Sequence, residues 1–237
     1  MSMIRIVPAI ALMVFASPLA VAGTIPAEAS DMFRAQGNEP FWSLRKTDSA
    51  ITFQTMDGAA VTIAPVPEPA DEDGAAVFRA TVEDEAFVLT IADRVCTDTM
   101  SGMPFPATVN VALGADSYEG CGGEPAALLD GDWTVTAIDG KAPVADSEPS
   151  LTFGEDARVS GNASCNRFFG SYTLTGEGLS FGEMGTSMMM CGDPVMAQER
   201  AMLEILEGVI GFSVAEDGAL TLSSADGRTI AANRLDP

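Results

Sequence analysis

The segment Val159-Ser-Gly-Asn-Ala-Ser-Cys165-Asn-Arg-Phe-Phe-Gly170-Ser-Tyr172 constrains the fold more than any other stretch of this chain. It reads as a strand, a turn holding a cysteine and a second strand, and Cys191 follows at a separation of 26 residues. Two further cysteines, Cys96 and Cys121, stand 25 residues apart in the first half. Four cysteines allow three pairings. The two local pairings have matching separations and each stays within one half of the chain. The expectation is therefore Cys96 with Cys121 and Cys165 with Cys191, two structural disulfides of an oxidising compartment.

The N-terminus agrees with that compartment. Met1 to Arg5 is short and positively charged, Ile6 to Phe15 is apolar, and Ala20-Val-Ala22 is a small-residue cleavage pattern. Residues 1–22 read as a cleavable signal peptide. The apolar run is too short for ~30 Å of hydrocarbon, and no later stretch reads as a membrane span. No cysteine follows the cleavage region, so no lipid anchor is expected there, and the chain reads as periplasmic. Residues 23–32 read as a flexible leader.

Charge and composition remove whole classes of function. The chain has 12 Lys and Arg against 34 Asp and Glu, a net charge of −22, and no histidine. Such a field repels phosphate backbones and anionic headgroups, so nucleic-acid partners are not expected. Without histidine there is no Ser-His-Asp or Cys-His unit and no His-ligated zinc. No cofactor and no catalytic residue is assigned.

Residues 33–123 read as short strands separated by turns. Ile51–Thr55 and Val61–Ala64 flank Met56-Asp-Gly58, and Val77–Val82 and Phe87–Ile91 flank Glu83-Asp-Glu85. Thr108–Leu113 leads to the Gly114-Ala-Asp116 turn, and Pro65–Gly74 is a proline-rich acidic loop. This predicts an all-β, antiparallel domain curled towards a barrel. Gly122-Gly-Glu-Pro125 is the best boundary. Beyond it, Trp133–Ile138, Ser150–Phe153, the Cys165 hairpin and Gly178–Phe181 read as strands. A helix follows, with Asp193 as cap, Pro194 at its first helical position, Gly208 at its end, and Val195, Met202, Leu206 and Val209 as its apolar stripe. Phe212–Val214, Leu220–Leu222 and Arg228–Ala231 close an α+β second half around Asp217-Gly and Asp226-Gly turns.

Residues 126–235 resemble the META domain (HslJ-like) family. The matching residues are Trp133, Leu151-Thr-Phe153, Ser160-Gly161, Cys165-Asn166, Gly170-Ser-Tyr172, Leu179-Ser-Phe181, Cys191, Glu199 and Leu203. The chain departs from the family just before Cys191, where Ser187 and Met188 replace a threonine and a basic residue. The first half resembles a domain of uncharacterised bacterial envelope proteins through Gly37-Asn-Glu-Pro-Phe-Trp42, Cys96-Thr-Asp98, Met100-Ser-Gly102, Pro106 and Gly120-Cys121. That resemblance implies an extracytoplasmic β-domain with a Cys96–Cys121 bridge, and no activity.

Four places carry candidate chemistry. Asn38, Glu39 and Trp42 form a candidate ligand surface, unless Trp42 enters the core and Asn38-Glu39-Pro40 fix a turn. Asp98 near Ser101 has the elements of a hydrolytic pair, but no His or Lys lies in the segment to act as base. Cys165-Asn166-Arg167 reads as half a disulfide in a tight turn, with Asn166 satisfying the local backbone and Arg167 exposed. Met184, Met188, Met189, Met190, Met196 and Met202 surround Cys191. Thioethers are soft Cu(I) ligands, with Met188–Met190 the candidates, and the competing use is adaptable core filler. Asp71-Glu-Asp-Gly74 lacks the ligand alternation of a Ca²⁺ loop.

The reading is an exported, two-domain, non-enzymatic envelope protein, a binding or protective module in stress tolerance. Its partner would be a basic envelope protein or a small apolar ligand. The alternative is an inhibitor of a cell-wall hydrolase, whose basic surface an acidic face would suit.

Overall fold

The computed structural model describes residues 32–235; the signal peptide and all of the leader before Met32 lie outside them. The first half consists of β1 (Phe33–Asn38), β2 (Phe41–Lys46), β3 (Ile51–Thr55), β4 (Ala60–Ile63), β5 (Ala70–Glu72), β6 (Ala75–Val82), β7 (Glu85–Ala92), β8 (Cys96–Thr97), β9 (Pro104–Phe105), β10 (Ala107–Leu113) and β11 (Asp116–Gly122). Nine of these form one sheet in the order β4-β3-β2-β1-β11-β10-β7-β6-β5, and β8 pairs separately with β9. All pairings are antiparallel.

The cause is a clean two-residue period. β2 buries Trp42 and Leu44 and exposes Phe41, Ser43 and Arg45, and β10 buries Val109 and Val111. The buried faces converge on Phe53, whose ring centroid lies 5.8 Å from Trp42, 6.3 Å from Phe87 and 5.1 Å from Tyr118. Glu83 and Asp84 both take positive φ, +48° and +70°, the backbone that a two-residue hairpin turn requires. The result is an antiparallel half-barrel, as the strand pattern predicts.

The expected loop 65–74 needs one correction, because β5 lies inside it. Glu72 forms a bidentate pair with Arg79 across the β5–β6 turn, at 2.7 and 2.8 Å, and the charged strand sits at the sheet edge. Edges tolerate such strands.

The second half contains β12 (Gly131–Ile138), β13 (Ser150–Gly154), β14 (Arg158–Asn162), β15 (Arg167–Thr175), β16 (Gly178–Phe181), β17 (Gly185–Thr186), α1 (Asp193–Glu207), β18 (Val209–Val214), β19 (Leu220–Ser224) and β20 (Thr229–Arg234). The strand order is β16-β15-β14-β13-β12-β20-β19-β18, with β17 beside β15. The two ends meet: a Cβ on Gly178 would stand 2.0 Å from the Ile210 carbonyl oxygen. The sheet is thus barrel-like, and α1 packs Met202, Ile205 and Leu206 into its core beside Trp133, Phe153 and Phe168.

Two helix details differ from expectation. The N-cap is Gly192, whose carbonyl accepts the first helical hydrogen bonds from Val195 and Met196, at 3.0 and 3.1 Å. Asp193 instead takes the first helical position, moving Pro194 to the second, and adds an acid to the first turn, favourable for the helix dipole. Val209 begins β18, because Gly208 ends the helix, and Ile205 completes the apolar face.

The two sheets belong to one compact unit. The stitch between them is the β8–β9 loop. Met103 from the first half is buried in the second half's core, and Phe105 packs against the same cluster.

Candidate functional site

The loop from Cys96 to Phe105 is held at both ends. Cys96 is bonded to Cys121 on β11, and Cys96 and Thr97 pair with Phe105 and Pro104. Inside it, Asp98 organises the turn. Its Oδ1 accepts from the Met100 and Ser101 amides at 3.1 and 2.8 Å and from the Ser101 hydroxyl at 2.8 Å. Its Oδ2 accepts from the Asn38 side-chain amide at 2.8 Å. Burial works to raise the Asp98 pKa, but the bonds from Ser101, Asn38 and Met100 outweigh it and hold the carboxyl below its ordinary value. A carboxylate so stabilised is a poor base for the serine it touches, and the Ser101 oxygen also accepts from the Met103 amide at 3.2 Å. The pair is a turn scaffold.

The sign of that shift sets a pH dependence. A depressed native pKa stabilises the fold above about pH 4 and loses that contribution as pH falls towards the native value. Asp98→Asn is expected to cost roughly 1–3 kcal/mol at pH 7. The difference from wild type should shrink on going to pH 3. Urea unfolding at both pH values measures it, and an unchanged difference would contradict the assignment.

Around this turn lies a two-lobed groove. The first lobe, about 440 Å³, is lined by Gln36–Glu39, Cys96–Met100 and Glu119–Cys121. The second, about 510 Å³, shares Gln36, Asn38, Asp98 and Met100. It continues past Met103 and Phe105 to Glu124–Ala126 and to Leu174–Gly176, at the end of β15 and the start of the turn after it. The groove therefore runs along the seam between the halves, a place where ligand sites commonly form.

Of the sequence candidates, Asn38 and Glu39 line this groove and Trp42 does not. Trp42 is buried in the first core, where its indole N–H donates to the Glu119 carbonyl at 3.1 Å. A larger hollow of about 840 Å³ includes Arg94, Trp133 and Arg234. Its Arg234 guanidinium is already committed, stacking 4.5 Å from the Trp133 ring and bonding the Leu128 and Asp130 carbonyls.

The second candidate region is the Cys165 hairpin, whose cysteine is bonded to Cys191. Glu199, buried on α1, accepts from the Cys165 and Asn166 amides at 3.2 and 2.7 Å and from the Asn166 side chain at 2.9 Å. The Asn166 side chain does not serve its own turn as expected, where Asn162 Oδ1 accepts the Ser164 amide at 3.1 Å; it reaches remote partners. Its Oδ1 accepts from the Met189 amide at 2.6 Å and the Ser187 hydroxyl at 2.8 Å, and its Nδ2 donates to the Met189 carbonyl at 3.1 Å. The methionines divide accordingly. Met202 is fully buried, Met184 packs against the core, and Met188, Met189 and Met190 are 98, 58 and 94% exposed on the pinned loop. Core filling thus describes the first two and not the triplet. Among the described residues no group of three His, Cys, Asp or Glu is placed to hold a metal ion.

The META domain family model matches residues 126–237. A protein from Burkholderia xenovorans solved by NMR is 31% identical, over 47% of this chain and 87% of that one, with a TM-score of 0.41. A second protein solved by NMR is 26% identical, over 46% and 93% of the two chains, with a TM-score of 0.39. No curated protein matches the chain.

Proposed function

The C-terminal half of this chain, residues 126–237, is a META domain, and from that premise we propose that the whole protein is an exported, non-enzymatic binding module of the bacterial envelope, protective under stress. The observation that carries this reading is the seam groove. Its walls come from both halves, so a ligand held there engages the two sheets together. The polar side chains of Asp98 and Ser101 are spent on holding the turn, which suits recognition better than turnover. Two disulfides fit an oxidising extracytoplasmic compartment.

A deletion strain tests the role. It is expected to be more sensitive to heat, oxidants or envelope-active antibiotics, and wild-type protein should restore tolerance. Gly176 lines the second lobe at a turn where a Cβ meets nothing within 4 Å, so Gly176→Trp sets a bulky side chain at the lobe without a clash at its Cβ. This variant should fail to restore tolerance. Unchanged tolerance on deletion, or full rescue by the filled variant, refutes the reading.

A further inference from the structure

We propose that the seam groove takes a small cationic amphiphile, its positive head in the first lobe and its apolar body in the second. The inference rests on the groove being the ligand site and adds the chemistry of what enters it.

Charge identifies the head. Glu39, Asp98 and Glu119 line the first lobe and Glu124 the second, while no lysine or arginine lines either. The ion pairs among the described residues are Glu72–Arg79, Glu204–Arg228 and Asp226–Arg228, none of them in the groove. The Glu39 and Glu119 side chains are both exposed and make no hydrogen bond among the described residues. Asp98 spends its oxygens on the turn yet stays ionised, so it contributes field without offering a free acceptor. Around these groups lies a chain of net charge −22, which raises the local concentration of cations.

The second lobe identifies the body. Met103, Phe105, Pro125, Ala126 and Leu174 give it an apolar wall. Met100, 70% exposed, belongs to both lobes and can fold its unbranched thioether over whatever lies between them. Size argues for a small molecule. Lobes of about 440 and 510 Å³ match small-ligand sites, whereas a stable folded partner needs about 800 Å² on each side.

The test is isothermal titration of the full chain, at low salt and below the micelle concentration, with three probes sharing one tail: dodecyltrimethylammonium, dodecyl sulfate and dodecyl maltoside. The cation is expected to bind at least about tenfold tighter than either of the others, the gain from two exposed charge pairs. The double variant Glu39→Gln/Glu119→Gln should remove most of that preference, and Gly176→Trp should remove binding of all three. If the three probes bind alike and Gly176→Trp removes them all, the charge inference is wrong while the groove remains a ligand site. If none binds, or if the cation binds Gly176→Trp as well as wild type, both readings fall.

Discussion

Replacing Glu199 with alanine is expected to destabilise the protein by on the order of 4 kcal/mol. The carboxylate is the acceptor for the Cys165 and Asn166 amides and for one hydrogen of the Asn166 side chain, all at the buried end of the hairpin. Alanine leaves two backbone donors with no acceptor and no route for water to reach them without opening the α1 contact. Each orphaned donor costs roughly 1–3 kcal/mol. Released Asn166 also loosens its hold on Ser187 and Met189, so the exposed methionine loop should become the first site of proteolytic cutting. Glu199→Gln keeps one acceptor oxygen and sets an N–H group against the remaining donors, so a smaller loss of about 2 kcal/mol is expected. Urea unfolding of the three proteins measures the order. A loss below about 1 kcal/mol for the alanine variant would show that the carboxylate is a bystander.

The same network marks the limit of what the sequence discloses. Hairpins and the helix are legible because their causes are local: period-two burial in β2 and β10, positive-φ turn residues at Asp217-Gly and Asp226-Gly, and a glycine at the end of α1. Pairing of the cysteines is legible from spacing. The partners of Asn166 are not, since Met189 and Glu199 lie 23 and 33 residues away and meet it only when α1 docks. An asparagine after a turn cysteine has a sufficient local explanation, and nothing in the chain signals the remote one. Edge strand β5 was hidden for a related reason: its acids read as solvated loop until Arg79 is brought across from β6.

The groove shows the contrast most sharply. Asn38 and Glu39 were visible as polar residues in a turn. Their neighbours come from the 96–105 loop, from β11 and from the β15–β16 hairpin, which β1–β11 pairing, the Cys96–Cys121 bond and the burial of Met103 in the second core bring together. Trp42 takes the second of its two readings: β2 alternation sends it into the core and leaves Phe41 outside.

Where Trp42 goes explains two of the glycines that line the first lobe, Gly37 and Gly120. Its indole lies against Gly37 and Gly120 on neighbouring strands. A Cβ on Gly37 would stand 2.1 Å from the indole nitrogen, and one on Gly120 would stand 2.0 Å from the Gln36 carbonyl oxygen and 2.7 Å from the indole ring. Gly120→Ala is therefore expected to cost at least about 4 kcal/mol, more than usual overpacking, because the obstructing atom is backbone of the paired strand β1. Side-chain rotation cannot relieve it, and adding Trp42→Ala should not rescue it, since the Gln36 carbonyl stays in place. Gly58→Ala separates steric exclusion from simple loss of glycine. There a Cβ meets nothing within 4 Å, and the cost is only that of a positive φ, roughly 1–2 kcal/mol. Thermal and urea unfolding of the three variants distinguish the mechanisms. A Gly120→Ala protein as stable as Gly58→Ala, or one restored by Trp42→Ala, would mean that β1 and β11 can separate there.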